Sequence, residues 1–539
     1  MKVDLISPET SLIRDATGWH QMMKNGGRSF GYSDSEGSAV LRLEQRDEGI
    51  DLFLNADLLP ITGIALFWRS EIREMGLRVF GDALERGYGD LGWEGIRPER
   101  MLYWYVLLDE CGEQSGIGVQ VQPSAFISFT LDTCGLTMYC DLSAGCVGVR
   151  LRNREIKIAT LHSMLNHRED AYSFAHRFLK SLCPSPKLPR NRVYGFDNWY
   201  AYYGKFSTET VLKDCRMMAD LSAGLRNRPT YIIDDGWQLV SPGSAANGGP
   251  WVGNSKFNDM AELMQRIDEM GIRPGLWFRP LLTSEYVPED RVWRLEKSGR
   301  VLDPSCEGAI DTVREQIAKF IDWGVGLIKH DFTSYDCLGA WGYEVAGWRV
   351  NRTRVPMHDD SHTMAELLKR LYQAISQSCG SAMNIACNTS GHLTAGFSEI
   401  SRIGDDTAWG CNGDWERTRY VGINALSMRL AQNGVFHQCD ADCAVFSSHF
   451  SLAHLSQWLT LLARSGSCAF LAFKPEECDD RRCGIIRNTF TVSSEGQPIA
   501  VPMDWQYNST PVHWKFGDEA TVFNWHEQVQ EYPPGMWWR

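Results

Sequence analysis

Charged residues collect at one end of a set of short apolar runs. In GLIKHDF, Gly326 to Phe332, an apolar run ends on Lys329 and Asp331. Side chains two apart in a strand share a face, so this lysine and aspartate emerge together. Other runs end the same way. Asp197 and Asn198 close VYGFDNW, Asp234 and Asp235 close PTYIIDDGW, and Arg279 closes RPGLWFRP. Asn388 closes AMNIACN, Arg402, Asp405 and Asp406 close EISRIGDD, and Asp440 closes GVFHQCD. A solvated strand end or a helix N-cap explains any single aspartate of this kind. Carboxylates on so many run ends, with Lys329 and Arg402 among them, point to a shared site. Carboxylates brought close raise one proton affinity, while a neighbouring Lys or Arg keeps another ionised. A pair divided in this way supplies an acid and a nucleophile, which is what glycoside cleavage needs.

The elements that must carry these residues follow from the rhythm of the chain. From about 186 to 485, apolar runs of strand length alternate with stretches of helical period, the pattern of βα repeats. The seven runs above and CAFLAF make eight. In HTMAELLKRLYQAISQ, Met364, Leu367, Leu368, Leu371, Tyr372 and Ile375 fall on one helical stripe. Eight such units predict a (β/α)8 TIM barrel, whose C-terminal mouth would gather the charged strand ends. No Gly-rich phosphate loop follows the first strand, as a doubly wound nucleotide-binding sheet would require. Before the barrel, residues 1–185 read as short alternating strands (AFISFTL, LTMYCDL) and predict an N-terminal β-sandwich. The proline-rich CPSPKLPRNR, Cys183 to Arg192, marks the boundary. After it and the barrel, 486–539, with ATVFNWHEQ, reads as a small C-terminal β region. The expected fold is thus multidomain, β plus α/β.

Composition narrows the partners. A net charge of −13 over 539 residues leaves no basic stripe for nucleic acid or an anionic membrane. Twenty tryptophans and eighteen tyrosines suit the apolar faces of sugars and equally suit a core. The opening MKVDLISPETSLIRD has no apolar run of signal-peptide length, and sixteen cysteines then predict reduced thiols and a cytoplasmic location. Neither CDADC nor CDDRRC has zinc-ligand spacing, so no metal or cofactor is expected. A Ser-His-Asp elbow and a Walker loop are both missing from the sequence.

Taken together, GFDNWYAYYG, IIDDGWQ, GLIKHDF, RIGDD and FHQCDADC resemble the barrel of glycoside hydrolase clan D, and within it family 36, the α-galactosidases and raffinose-synthase-like proteins. GNSKFNDM, GIRPGLWFRP, VLDPS and LLARSGSCAFLAF recur in the same order, so the resemblance covers about 190–475. It implies a retaining α-glycosidase acting on a small oligosaccharide or glycoside, with Asp331 as nucleophile and Asp405 as acid/base. It implies that Asp234, Asp235 and Trp237 bind the sugar, and that Lys329 and Arg402 hydrogen-bond it and keep Asp331 ionised. Asn198, Trp199, Trp277, Arg279, Asn388 and Asp406 are the further residues it places around the substrate. This chain departs from the family in WFRP, where a W-x-E-P element is usual, and in CNTSGH, where a Cys-Gly-Gly turn is usual. The first departure puts Arg279 at the site, where it either pairs with a neighbouring aspartate, the favoured reading, or meets an acidic or differently substituted sugar, so that a different or substituted α-sugar stays open as substrate.

Other functions leave different marks. A silent sugar-binding barrel would lack Asp331 or Asp405, and both are present. A transglycosylase shares the whole mechanism and differs only in its acceptor. A metal-dependent isomerase would want His and Glu at strand ends. Only His330 and His437 lie near them, and His330 alternates away from the face of Asp331. The aromatic content and the N-terminal sandwich leave a homo-oligomer as an open expectation.

Overall fold

The protein is described by a computed structural model covering residues 5–47, 49–72, 74–166, 169–239, 247–409, 412–413, 415–446, 450–496 and 498–525. Its N-terminal strands, from Thr10–Arg14 to Glu155–Leu165, form one antiparallel hydrogen-bonded sheet of thirteen strands. The alternating runs of the sequence are its strands. A helix not foreseen in the sequence, Ala171–Leu182, follows before the proline-rich boundary. Asp170 caps it by accepting from the N–H groups of Tyr172 and Ser173, and Phe174 and Phe178 are buried.

The eight predicted runs are all strands: β1 (Tyr194–Asp197), β2 (Thr230–Ile233), β3 (Arg273–Phe278), β4 (Leu327–His330), β5 (Met383–Ala386), β6 (Ile400–Arg402), β7 (Gln438–Asp440) and β8 (Ala469–Ala472). Every residue is buried except the first of β3 and of β5, the mark of a parallel sheet covered on both faces. They pair in parallel from β1 to β7 in chain order, and β8 returns to pair with β1. Beyond β7 the same stretch of chain forms a second short segment, Ala444–Val445, which pairs with β8, and the Cys468 N–H donates to the Cys439 carbonyl at 2.7 Å. The path of hydrogen bonds therefore starts and ends on 438–445, and the sheet curls back on itself.

Helices make the parallel crossovers that such a sheet needs. They are α1 (Thr208–Leu221), α2 (Met260–Glu269), α3 (Glu307–Asp322), α4 (Met364–Ser378) and α5 (Leu452–Ser465), and one more helix, α6 (Asp480–Ser494), follows β8. The stripe predicted for α4 is buried at every position named, and Thr363 with Glu366 closes a capping box at its start. Between β5 and β6 stands only one helical turn, Gly391–Thr394. Between β6 and β7 the helical stretch 415–429 widens to π geometry over Thr418–Ile423, a form often found at functional sites. α6 packs on α5 and β1 and runs to Ser494. The C-terminal β region is three strands, Ala500–Pro502, His513–Phe516 and Glu519–Val522; the end of ATVFNWHEQ lies outside the described residues. No helix among the described residues is long and apolar enough to cross a membrane.

Candidate active site

Asp331 follows β4 directly and is 7% exposed. Its Oδ1 accepts from Asn388 Nδ2 at 2.5 Å and from the Phe332 N–H at 2.6 Å, and its Oδ2 accepts from Trp277 Nε1 at 3.0 Å. Three N–H donors from three chain segments thus fix both oxygens of one carboxylate. Phe332 stands at φ 65°, where a bulky residue is strained by roughly 1–3 kcal/mol. That turn is what aims the Phe332 N–H back at the Asp331 side chain.

Lys329, one strand repeat before Asp331, is held elsewhere. Its Nζ donates to Asp197 Oδ2 at 2.6 Å and Asp234 Oδ2 at 2.7 Å, and neither bond goes to Asp331. Lys329 makes no hydrogen bond to Asp331: N–H groups donate to that carboxylate, and the lysine ties β1 to β2. One cation cannot neutralise two buried carboxylates. Burial, with the charge of Asp197 added, accordingly holds the Asp234 carboxyl well above its ordinary range, against the opposing pull of Lys329. Asp235 is pushed up to about 7, by burial first and by the charge of Asp331 second. It accepts from Gln238 Nε2 at 2.5 Å. Asn198 donates nothing to a described residue from Nδ2, and its Oδ1 accepts from the Asp234 N–H at 2.9 Å. Trp199 is half-buried and packs edge-on against Tyr203, with ring centroids 5.4 Å apart.

The placement of Trp237 is corrected. Its indole is fully buried, donates Nε1–H to the Trp277 carbonyl at 2.9 Å, and packs edge-on against Phe320 of α3 and against Trp323. Gly236 before it has φ 122° and lies so close to Gly204 that a Cβ would stand 2.6 Å from its Cα. The turn this permits sends Trp237 under β3, between the sheet and the helix that carries Phe320, and leaves Asp234 and Asp235 at the strand end.

Arg279 forms a two-pronged pair with Asp336, Nε to Oδ2 at 3.0 Å and a terminal nitrogen to Oδ1 at 2.5 Å, and its guanidinium lies 4.4 Å from the Phe332 ring centroid. It also donates to Asn247 Oδ1 at 2.5 Å. The carboxylate partner is thus Asp336, from the turn after Asp331.

At the end of β6, Asp405 and Asp406 differ sharply. Asp405 is gripped on both oxygens, by Arg86 at 2.9 Å and Arg417 at 2.6 Å, and its side chain is 11% exposed. Asp406 offers Oδ1 to Arg402 at 3.0 Å, with Arg86 at 3.7 Å, and its side chain is 33% exposed. Burial raises the proton affinity of Asp406, but Arg402, then Arg86, Arg417 and Lys329, outweigh it and hold the carboxyl below its ordinary value. Arg402 is fixed in turn by Asp442 at 2.7 Å. Asp442, at φ 73° in the break between β7 and Ala444–Val445, also accepts from the Tyr200 hydroxyl at 2.5 Å and the Thr407 N–H at 2.7 Å.

Asp197, named in the sequence as a strand-end carboxylate without a role, completes the charge network together with Arg417 and Asp442, which were not singled out there. Asp197 and Asp442 carried a signal, the strand end and the CDADC repeat; Arg417 sits in a helical stretch with none. Arg86 comes from the N-terminal sheet, outside the βα pattern altogether. His330 and His437 are buried, and burial pushes both down to about 3, so they are neutral core residues. Asp303, Cys306 and His358 bring possible ligand atoms within 4.8 Å of one another. The Asp303 carboxylate, however, already accepts from the Ser305 and His358 N–H groups, at 2.8 and 2.9 Å, and serves the turn before α3.

Comparison with known proteins gives the same architecture. No family model matches the chain. An α-galactosidase, AgaA of Geobacillus stearothermophilus, is 28% identical over 141 residues, 24% of this chain and 18% of that protein. The bifunctional α-galactosidase/sucrose kinase AgaSK of Mediterraneibacter gnavus is 25% identical over 169 residues, 29% of this chain and 17% of that protein. The matched stretches thus span less than a fifth of either relative. Among solved structures, the Thermus thermophilus α-galactosidase TtGalA with p-nitrophenyl α-D-galactopyranoside superposes with a TM-score of 0.60 at 17% identity, over 92% of this chain and 99% of that one. The family 36 α-galactosidase AgaA of Geobacillus stearothermophilus with raffinose gives 0.60 at 12% identity, over 94% and 79%. The chain has the fold of the family 36 α-galactosidases.

Proposed function

We propose that this chain is a retaining α-glycosidase of α-galactosidase type, acting on a small oligosaccharide or glycoside in the cytoplasm. The observation that carries it is Asp331, a carboxylate at the end of β4 oriented by three N–H donors, with a second carboxylate station, Asp405 and Asp406, at the end of β6. The α-linked galactosides bound by the structural neighbours support the choice of sugar. We read the curled parallel sheet as a catalytic (β/α)8 barrel, preceded by a β-sandwich over 1–185 and followed by the small β region. The free thiols of the fifteen described cysteines suit a reducing compartment.

In this reading Asp331 attacks the anomeric carbon as the bond to the leaving oxygen breaks, and the acid/base carboxyl gives that oxygen its proton. The same group then takes a proton from water, whose oxygen displaces Asp331 and releases the sugar. Asp405 and Asp406 compete for this role. A proton carrier must reach the departing oxygen, and Asp405 has both of its own oxygens tied to guanidiniums, whereas Asp406 is three times as exposed. The geometry favours Asp406, and Asp405 becomes the anchor of the station. Asp197, Asp234 and Asp235, at neighbouring strand ends, are the acceptors for sugar hydroxyls.

Nitrophenyl α- and β-glycosides, including galactoside, glucoside, N-acetylgalactosaminide and a uronide, test the reading on wild type and Asp331→Asn. Cleavage of an α-galactoside that vanishes in the variant is the expected result; silence on every glycoside would overturn it. Asp406→Asn should slow poor leaving groups far more than nitrophenol, because proton donation matters most there. If Asp405→Asn does so instead, the acid/base is Asp405. A sugar hydroxyl in place of water would make the enzyme a transglycosylase, which product analysis with added acceptor detects.

A further inference from the structure

A cation within ion-pair reach of both carboxylates at the end of β6 comes from outside the parallel sheet. Arg86 follows the N-terminal strand Leu77–Asp82, and the loop that carries it is sewn to the barrel by backbone bonds. The Gly87 N–H donates to the Ile403 carbonyl at 2.8 Å, and the Asp405 N–H donates to the Gly87 carbonyl at 2.9 Å. Gly87 and Gly404 thus form a parallel bridge. A Cβ on Gly404 would stand 2.9 Å from the Ala425 Cβ, so the loop and the helical stretch after β6 close tightly on this point. On either side, Asp82 pairs with Arg429 at 2.8 Å, and Asn424 Nδ2 donates to the Leu91 carbonyl at 2.8 Å.

The guanidinium itself is fixed on every side. One terminal nitrogen lies 2.9 Å from Asp405 Oδ1 and the other 3.7 Å from Asp406 Oδ1. Its Nε donates to the Tyr88 hydroxyl at 3.2 Å, and its carbon lies 4.9 Å from the Trp341 ring centroid and 5.2 Å from that of Tyr88. Tyr88 donates to Glu85, which also accepts from the Gly342 N–H at 2.8 Å. Arginine suits such a place, since its planar fork can meet two carboxylates while its faces stack on rings.

We propose that Arg86, supplied by the N-terminal sheet, is a positioning residue for the acid/base station, one cation that spans Asp405 and Asp406 and governs the proton held on Asp406. The proposal rests on reading these two aspartates as that station. Consecutive carboxylates repel, and each has its own barrel arginine: Arg417 for Asp405 and Arg402 for Asp406. Arg417 also donates to the Asp406 carbonyl at 2.6 Å, while Arg86 reaches a side-chain oxygen of each aspartate. Among the described residues, the other ionisable groups facing them are Glu85 from the same loop, Lys329 from β4, Asp442 from the β7 break, Tyr200 after β1 and Tyr343 beside Trp341. With Arg86 removed, two adjacent negative charges lose their common counter-charge, and the station holds its proton to higher pH.

Arg86→Met and Arg86→Lys test this, each checked for folding by its thermal midpoint. The pH profile of kcat/KM is measured on a glycoside with a poor leaving group and on a nitrophenyl glycoside. In Arg86→Met the alkaline limb on the poor leaving group should move up by about one pH unit. At the wild-type optimum that substrate should lose about tenfold or more, with a much smaller loss on the nitrophenyl glycoside. Arg86→Lys should restore the limb. An unmoved limb with equal losses on both substrates would overturn the proposal and leave Arg86 a packing residue. Titration of aspartate carboxyl carbons labelled with 13C, assigned through Asp405→Asn and Asp406→Asn, decides the matter without turnover. An upward shift in Arg86→Met supports the proposal and an unchanged titration overturns it, even where a wild type inert on every glycoside has overturned the glycosidase reading.

Discussion

Asn388 donates its side-chain N–H to the Asp331 carboxylate across 2.5 Å, from a backbone held at φ 49°. Asparagine is among the few side-chain-bearing residues that tolerate this left-handed conformation. The position therefore joins a backbone need to a hydrogen-bond need. Asn388→Gly keeps the first and deletes the second. Relative to wild type we expect kcat on a nitrophenyl galactoside to fall by about 10²-fold, the scale of losing one preorganised donor, with the thermal midpoint little changed. Equal activity in wild type and Asn388→Gly would show that Trp277 and the Phe332 N–H suffice to orient Asp331.

Asp235 titrates where an enzyme works, pushed up to about 7 by burial and by the charge of Asp331. Above that pH it is an anion able to accept two sugar hydroxyls, and below it is a weaker acceptor. KM should accordingly fall as pH rises through about 7 in wild type, and this inflection should be missing from Asp235→Asn. A KM that is flat from pH 6 to 8 in the wild-type protein would remove Asp235 from substrate binding.

Stability should respond to pH through Asp214 of α1, a buried carboxyl that accepts from the Tyr202 and Tyr231 hydroxyls at 2.9 and 2.8 Å. Burial pushes it from 3.8 up to about 7. The folded state thus binds this proton more tightly than the unfolded chain, so the contribution to stability is complete below about 4 and is lost as pH rises through 7. Asp214→Asn, which cannot ionise, should match wild type near pH 4 and exceed it at pH 8 by a few kcal/mol, since each tenfold gain in proton affinity on folding is worth about 1.4 kcal/mol. Urea unfolding at the two pH values measures the difference; a variant less stable at pH 8 would mean that its lost hydrogen bonds outweigh the charge.

Arg279 and Asp336 are 7% and 1% exposed at their side chains, so removing either leaves a buried charge alone. Arg279→Met should destabilise by about 3–5 kcal/mol. Arg279→Met combined with Asp336→Leu should recover most of that loss, because no charge is then stranded. Denaturation midpoints for the two singles and the double close the cycle, and a double as weak as the worse single would show that the pair does more than neutralise itself.

Most of the parallel sheet was legible because a strand buried on both faces has to be an apolar run, and its polar end has to stand where that run stops. GLIKHDF, PTYIIDDGW and EISRIGDD each give away a strand and its mouth residues in this manner. Trp237 was misread because its distance from Asp235 says nothing about the turn at Gly236 that drives the indole under β3. The partners of Lys329 were hidden for a similar reason: Asp197 and Asp234 lie on two other strands, and only the closed order of the sheet brings them together. Arg86 left no trace. It sits among the loops of a sheet whose periodicity concerns its own core, and its meaning comes entirely from contact with the end of β6. The helix Ala171–Leu182 was submerged in a region whose dominant rhythm is alternation, and the packing of α6 on α5 is a contact the sequence does not display.

The bridge between Gly87 and Gly404 has a bearing on how the molecule comes into being. The bonds around it join residues far apart along the chain: 333 positions separate Leu91 from Asn424, and 347 separate Asp82 from Arg429. Contacts of such separation form late, after loop closure has been overcome and the local βα units have gathered. On a ribosome the N-terminal sheet emerges first and must wait, its Arg86 loop without a mate, until β6 and the turns behind it have been synthesised. Helical content and burial of the parallel sheet would then precede closure of the β6 end, and the last thing to mature would be the contact that carries Arg86.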